Sequence, residues 1–293
     1  MPRRRFMSKS AAGLLVAGSA LAFAQSAPVT PVKTGYAPVN GLKLYYEIYG
    51  AGEPLILLHG GLGSIEMFAP VLPALSHARQ VIAVDLQAHG RTADIERPLS
   101  FEAMSDDIAA LMKHLSIEKA DIMGYSIGGG VALRTAIQHP DAVKKLVLVS
   151  TPCRKDGWYP EVAAAMSQMS AAAAEPMKQS PIYQTYARVA PRPQDWPVLL
   201  NKIGELLKKD YDWSKDVPAI KARTMLVYGD ADAVRPAHMV DFYALLGGGL
   251  KDAGWNGSGM SRARLAVLPG LTHYNINTSP ALATAVTQFL ETP

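Results

Sequence analysis

The 293-residue chain predicts an α/β architecture. A mostly parallel sheet is flanked by helices, and a helical cap is inserted between two core strands. Three observations lead there. Short runs that are apolar on both faces recur along the chain, as the interior of a parallel sheet requires. Helical periodicities alternate with them. The alternation lapses over residues 151–223 and then resumes, which marks an insertion rather than a second domain.

Residues 1–24 read as an export signal. Arg3, Arg4, Arg5 and Lys9 make a positive start, residues 11–24 (AAGLLVAGSALAFA) an apolar stretch, and Ala22-Phe23-Ala24 a small-x-small site that sets cleavage before Gln25. The run is too short to span a bilayer comfortably. Arg3-Arg4-Arg5-Phe6-Met7 also follows the twin-arginine pattern; an ordinary secretory signal with an Arg-rich start is the alternative. Either route predicts a periplasmic or secreted protein. No cysteine lies near the cleavage site, so a lipoprotein anchor is not supported and no stable membrane anchor is expected. Residues 25–38 are Pro-rich and read as a tether, leaving 39–293 as the folded domain.

The strands and helices follow in order. Asn40-Gly41 is a hairpin turn signal, and Leu42–Tyr49 (LKLYYEIY) is rich in β-formers. The apolar runs at 55–58 (LILL), 81–86 (VIAVDL), 120–123 (ADIM), 146–149 (LVLV), 224–228 (TMLVY) and 265–268 (LAVL) supply the remaining strands. Residues 101–115, Ile127–Gln138 and 280–290 carry apolar residues at helical spacing, the last opened by Ser279-Pro280 as cap and first position. Residues 151–223 hold Ala/Met-rich helical segments with Trp158, Tyr159, Tyr183, Tyr186, Trp196 and Trp213. Residues 247–259 are Gly-rich and read as a long loop, expected to flank the functional site with Trp255.

Chemistry concentrates where these strands end. Gly124-Tyr125-Ser126-Ile127-Gly128 matches the G-x-S-x-G elbow, set between a strand ending near Met123 and a helix starting near Ile127. Such a turn pushes the serine hydroxyl out at the carboxyl edge of the sheet, where α/β folds place ligands. A serine nucleophile needs a base. Of seven histidines, His273 stands between the last strand and the last helix, at the edge Ser126 occupies. The base needs an acid to set its tautomer. Asp232 in Gly229-Asp230-Ala231-Asp232 is chosen for that role, with Asp230 as runner-up. The oxyanion needs backbone donors: Ile127 for one, and for the other Gly61 in His59-Gly60-Gly61-Leu62-Gly63, with Leu62 as the alternative.

Composition narrows the function further. The net charge of +4 comes from the N-terminus; the rest of the chain carries 25 basic and 25 acidic residues. That gives no basic patch for nucleic acid and no bulk attraction to an anionic membrane. The single cysteine, Cys153, excludes an intramolecular disulfide and reads as a small buried residue. No metal-ligand spacing, phosphate loop or dinucleotide fingerprint is present, so no metal and no cofactor are expected.

From about Leu42 to Leu290 the chain resembles the α/β-hydrolase superfamily. The resemblance rests on the HGG loop (59–61), Asp85-Leu86-Gln87-Ala88-His89-Gly90-Arg91, the GYSIGG elbow (124–129), Gly229-Asp230-Ala231-Asp232 and Gly270-Leu271-Thr272-His273. The small esterase-like members are the most similar. The resemblance implies a Ser-His-Asp acyl-enzyme mechanism, no cofactor and a cap formed by residues 151–223. Ala88, where the family often has Gly, is a departure far from the chemistry. Ser126 argues against the branches that use an aspartate nucleophile, the haloalkane dehalogenases and epoxide hydrolases.

The expected partner is a small-molecule ester. Leu62, Tyr125, Trp158, Met166 and Tyr183, with Met169, Met177 and Trp196, are candidates for an apolar pocket wall favouring aryl or medium-chain acyl groups. The same triad also serves lactonases, perhydrolases, aminopeptidases and C–C hydrolases. An aminopeptidase calls for cap carboxylates, for which Glu161, Glu175, Asp195 and Glu205 are available. A non-catalytic binding protein of the same fold is the remaining reading, against which the intact triad argues.

Overall fold

The computed structural model describes residues 29–292; the export signal read at 1–24 lies outside them. Among the described residues the strands are β1 (Lys33–Val39), β2 (Leu42–Tyr49), β3 (Glu53–Leu58), β4 (Arg79–Val84), β5 (Ala120–Tyr125), β6 (Val143–Val149), β7 (Arg223–Ala231) and β8 (Arg264–Thr272). They form one sheet in the order β1-β2-β4-β3-β5-β6-β7-β8. The pairings β1/β2 and β2/β4 are antiparallel, and the others are parallel.

Helices cover both faces: α1 (Leu72–Leu75), α2 (Phe101–His114) and α3 (Ile127–Gln138) early in the chain, α8 (Pro236–Leu245) and α9 (Pro280–Glu291) late in it. Between β6 and β7 the chain builds α4 (Pro160–Ser167), α5 (Ala174–Met177), α6 (Pro181–Val189) and α7 (Trp196–Lys208). The alternation of side chains across each strand divides the core in two. Ile56, Leu58, Ile122, Leu146 and Leu148 pack with Ile108 and Leu111 of α2 and Val131 of α3. Leu55, Leu57, Met123, Val147 and Val149 pack on the other side with Leu72 and Leu75 of α1 and Val286 and Phe289 of α9. This double burial is why the central strands read as unbroken apolar runs.

Local signals start the helices. Ser100 Oγ accepts from the Ala103 N–H at 3.1 Å to cap α2, and Ser279 Oγ accepts from Ala281 N–H ahead of α9, with Pro280 at its first position. The segment between β6 and β7 packs around Trp196, Leu199, Leu200 and Ile203, which are all buried. Isolated bridges Arg154↔Asp212 and Trp158↔Val234 tie it to itself and to the strand β7 side of the body.

Two expectations are corrected. Residues 33–38, read as part of a tether, belong to β1, which pairs with β2 from Lys33↔Ile48 to Val39↔Leu42. β1 is the outermost strand, and an edge strand accommodates Pro38 because one side of its backbone needs no partner. The Gly-rich loop at 247–259 does not flank the site. It leads into Arg264, the first residue of β8, and so lies at the edge of the sheet opposite Ser126, with Trp255 fully exposed.

Candidate active site

Ser126 sits between the last residue of β5 and the first of α3 at φ 54° and ψ −118°. A non-glycine residue holds such a conformation only when its surroundings enforce it, and such strain concentrates at functional sites. The surroundings here are tight. The Ser126 N–H donates to the Val149 carbonyl at 2.9 Å. A Cβ on Gly124 would stand 2.1 Å from the Gly128 carbonyl oxygen, and one on Gly128 would stand 2.4 Å from the carbonyl oxygens of His59 and Leu58. Only glycine at both positions lets β5, α3 and the loop after β3 meet.

His273 lies just past β8, with its Nε2 3.2 Å from Ser126 Oγ and its Nδ1 3.3 Å from Asp232 Oδ1. These contacts are long for hydrogen bonds, as is common in sites without substrate. The His273 carbonyl accepts from the Tyr125 hydroxyl at 2.5 Å. Its ring is enclosed by Tyr125, Trp158 and Tyr274, with centroids 5.3, 5.4 and 5.4 Å away. The imidazole is therefore held at both its backbone and its faces.

Asp232 is buried and fully engaged. Oδ2 accepts from Ser150 Oγ at 2.5 Å and from Gly229 N–H at 3.1 Å, and Oδ1 accepts from Val234 N–H at 3.2 Å. Burial alone would raise its pKa, but the bonds from His273 and Ser150 outweigh it and hold the carboxyl below its ordinary value. Asp230, the runner-up, is exposed and accepts from Gly270 N–H at 2.8 Å, shaping the end of β8 instead.

The loop after β3 closes the other side. His59 Nε2 accepts from Leu86 N–H at 3.1 Å, which leaves Nδ1 to donate to the Gly60 carbonyl at 2.7 Å. Burial pushes His59 down to about 4; it also pushes His89, whose ring centroid lies 5.0 Å away, down to about 3 with help from His59. Both rings therefore stay neutral, and the two bonds of His59 pin the loop. Gly61 and Leu62 both border the same cavity as Ser126 and Ile127. Ile127 is the first residue of α3, and a helix's first N–H groups have no carbonyl one turn before them.

That cavity measures about 610 Å³. Leu62, Tyr125, Trp158, Met166 and Met169 line it. Tyr183 does not: its ring packs edge-on against Trp196 at 5.5 Å inside the cap, while its neighbour Ile182 lines the cavity. Trp196 is itself core, 1% exposed, and Met177 packs against the core. Met67, Ile203 and Leu207 line the cavity without having been read from sequence, because each looks like an ordinary apolar helix or loop residue. Ser150 was also missed; its position one residue past an apolar strand, at the edge that holds Ser126, was the available signal. Among the described residues no cluster of three or more His, Cys, Asp or Glu is arranged to hold a metal ion.

A family profile described as the alpha/beta hydrolase fold matches residues 53–172. The chain is similar to a putative carbamate hydrolase, RutD, of Azorhizobium caulinodans: 34% identical over 123 residues, covering 42% of this chain and 46% of that protein. The chain thus spans about half the length of such curated relatives or less. In structure it is similar to a carboxylesterase, CesB, of Bacillus subtilis, with a TM-score of 0.68, 18% identity and coverage of 90% of this chain and 93% of the other. It is also similar to an enol-lactonase of Burkholderia xenovorans, with a TM-score of 0.64, 24% identity and coverage of 88% and 100%. With the strand order and the strand–elbow–helix described above, these likenesses show that the chain has the alpha/beta-hydrolase fold.

Proposed function

We propose that the protein is an exported serine hydrolase that cleaves carboxylic esters of apolar or aromatic small molecules through an acyl-enzyme. The observation that carries this reading is the alignment of Ser126, His273 and Asp232, with Ser126 and His273 at the wall of a mostly apolar cavity.

Ser126 Oγ attacks the ester carbonyl while His273 Nε2 takes the hydroxyl proton. The tetrahedral oxyanion is met by the N–H of Ile127 and that of Gly61, or of Leu62 beside it. Asp232, kept ionised, stabilises the imidazolium and holds Nδ1 as the donor. His273 then protonates the departing alkoxide, and the C–O bond breaks to leave the acyl group on Ser126. Water, deprotonated by the same imidazole, attacks the acyl-enzyme and releases the acid. The cavity receives the acyl group, and its walls favour aryl or medium-chain acyl groups.

A second reading rests on Glu161. Of the four cap carboxylates considered, Glu161 alone lines the cavity, and it is exposed at the start of α4. From there it can meet an ammonium group, which would direct the same machinery to amine-bearing esters or amides.

Hydrolysis of a chromogenic ester series of graded acyl length tests the main reading. Turnover by the wild type and its loss by about 10³-fold or more in both Ser126→Ala and His273→Ala is the expected result. A folded wild type inert toward the whole series sinks the esterase assignment. An amine-bearing series then separates the second reading, with Glu161→Gln as its control.

A further inference from the structure

We propose that the loop at 247–260 docks this protein reversibly on an anionic lipid surface, at the end of the molecule opposite the active site. Six of its fourteen residues are glycine, yet the loop carries Leu250, Trp255 and Met260, all exposed. A large apolar side chain gains nothing from water, and clustered exposure of this kind marks an interaction surface. Tryptophan in particular favours the boundary between water and hydrocarbon.

Charge selects the partner. The molecule outside the N-terminus is formally neutral, but Lys251 and Arg262 are exposed on this loop and the strand entry it feeds, with Arg264 half-buried on the Ser261 and Ala263 carbonyls and Arg262 donating also to the Lys221 carbonyl, against the single acid Asp252. Asp252 Oδ2 is occupied by the Gly254 N–H at 3.0 Å, which uses it to shape the turn. Lys221 adds little, because it is paired with Asp141 at 2.9 Å. A cavity of about 500 Å³ between the loop and α8 combines the two properties, bordered by Tyr243, Leu250 and Met260 and by the cations Lys251 and Arg264.

The form of the surface favours a bilayer over a folded partner. The three apolar side chains are spaced five residues apart, at 250, 255 and 260, on a glycine-rich loop rather than on one rigid helix or strand. A lipid interface closes around separate prongs, while basic neighbours meet its phosphates. The loop precedes β8, whereas Ser126 follows β5, so docking leaves the cavity mouth open to solution.

Trp255 supplies its own probe, since Trp158, Trp196 and Trp213 are 7, 1 and 6% exposed. The protein is mixed with vesicles of phosphatidylcholine alone or with phosphatidylglycerol, reading tryptophan emission and co-sedimentation. Emission should shift to the blue only with phosphatidylglycerol present, and the shift should fade as salt rises. Trp255→Ser should weaken partition about tenfold or more. Lys251→Gln with Arg262→Gln should weaken it about 25-fold. Unchanged hydrolysis of a soluble ester, or an unchanged melting temperature, shows that the variants fold. Equal binding to neutral vesicles, or none to either, overturns the proposal. So does concentration-dependent self-association that Trp255→Ser abolishes, which would assign the loop to a second copy.

Discussion

The Ser150 hydroxyl donates to Asp232 Oδ2 at 2.5 Å, on the side of the carboxylate away from His273. Ser150 takes φ 51° to do so, and its own N–H is held by the Val227 carbonyl at 2.9 Å. The end of β6 thus fixes the carboxylate that meets His273.

Ser150→Ala removes one of the bonds that lower the Asp232 pKa. A hydrogen bond to a charged group contributes about 1.5–3 kcal/mol. kcat/KM should therefore fall about tenfold or more, and Ser150→Thr should restore part of it. The lowered Asp232 pKa also contributes stability, present above the unfolded carboxylate value and lost as pH falls through the lower folded one. In the alanine variant that contribution should be smaller and its loss complete at a higher pH, with the onset, set by the unfolded carboxylate, unchanged. Denaturation midpoints and kcat/KM measured from pH 3 to 8 check both statements; identical profiles for variant and wild type would reject the role.

The buried pair His59 and His89 makes a separate acid dependence. Their folded pKa values, about 4 and about 3, lie below the unfolded value, so the folded state refuses protons that the unfolded chain takes up. Their contribution is fully present above about pH 6.5 and is lost as pH falls toward 4, at up to about 2.7 kcal/mol per pH unit while both are mismatched. His89→Gln should flatten this slope by about half. Urea denaturation at pH steps from 7.5 to 4.5 measures it, and a slope unchanged by the substitution contradicts the assignment.

Gly124→Ala brings a Cβ within 2.1 Å of the Gly128 carbonyl oxygen, where the nearest atoms are all backbone of Gly128 and Gly129 and no flexible side chain can give way. Overpacking that forces backbone to shift costs about 1–3 kcal/mol. The variant should melt well below the wild type or fail to fold; a melting temperature within 1–2 °C of wild type would show that the elbow relaxes easily.

Met166, on α4, lines the same cavity as Ser126. Met166→Trp should shorten the acyl preference, raising KM about tenfold for long acyl esters while sparing acetates, since a lost fit in an apolar pocket is worth about 1–3 kcal/mol. An unaltered length profile would place the acyl group elsewhere.

The sequence by itself determined the layered α/β plan, the elbow around Ser126 and the edge of the sheet to which His273 belongs. Those features are local: doubly buried strands must be apolar throughout, and a strand that turns sharply into a helix needs glycines at fixed offsets. Only the tertiary structure decided the rest. Asp230 and Asp232 are chemically equal in one dimension; the turn beyond Ala231 sends one to the surface and the other to His273. Tyr183 and Ile182 share a nine-residue helix, and packing of Trp196 against Tyr183 and Tyr186 sets which of the two meets the cavity. Residues 33–38 read as tether from sequence because an edge strand has little apolar signature and draws its stability from β2, a partner that composition does not reveal.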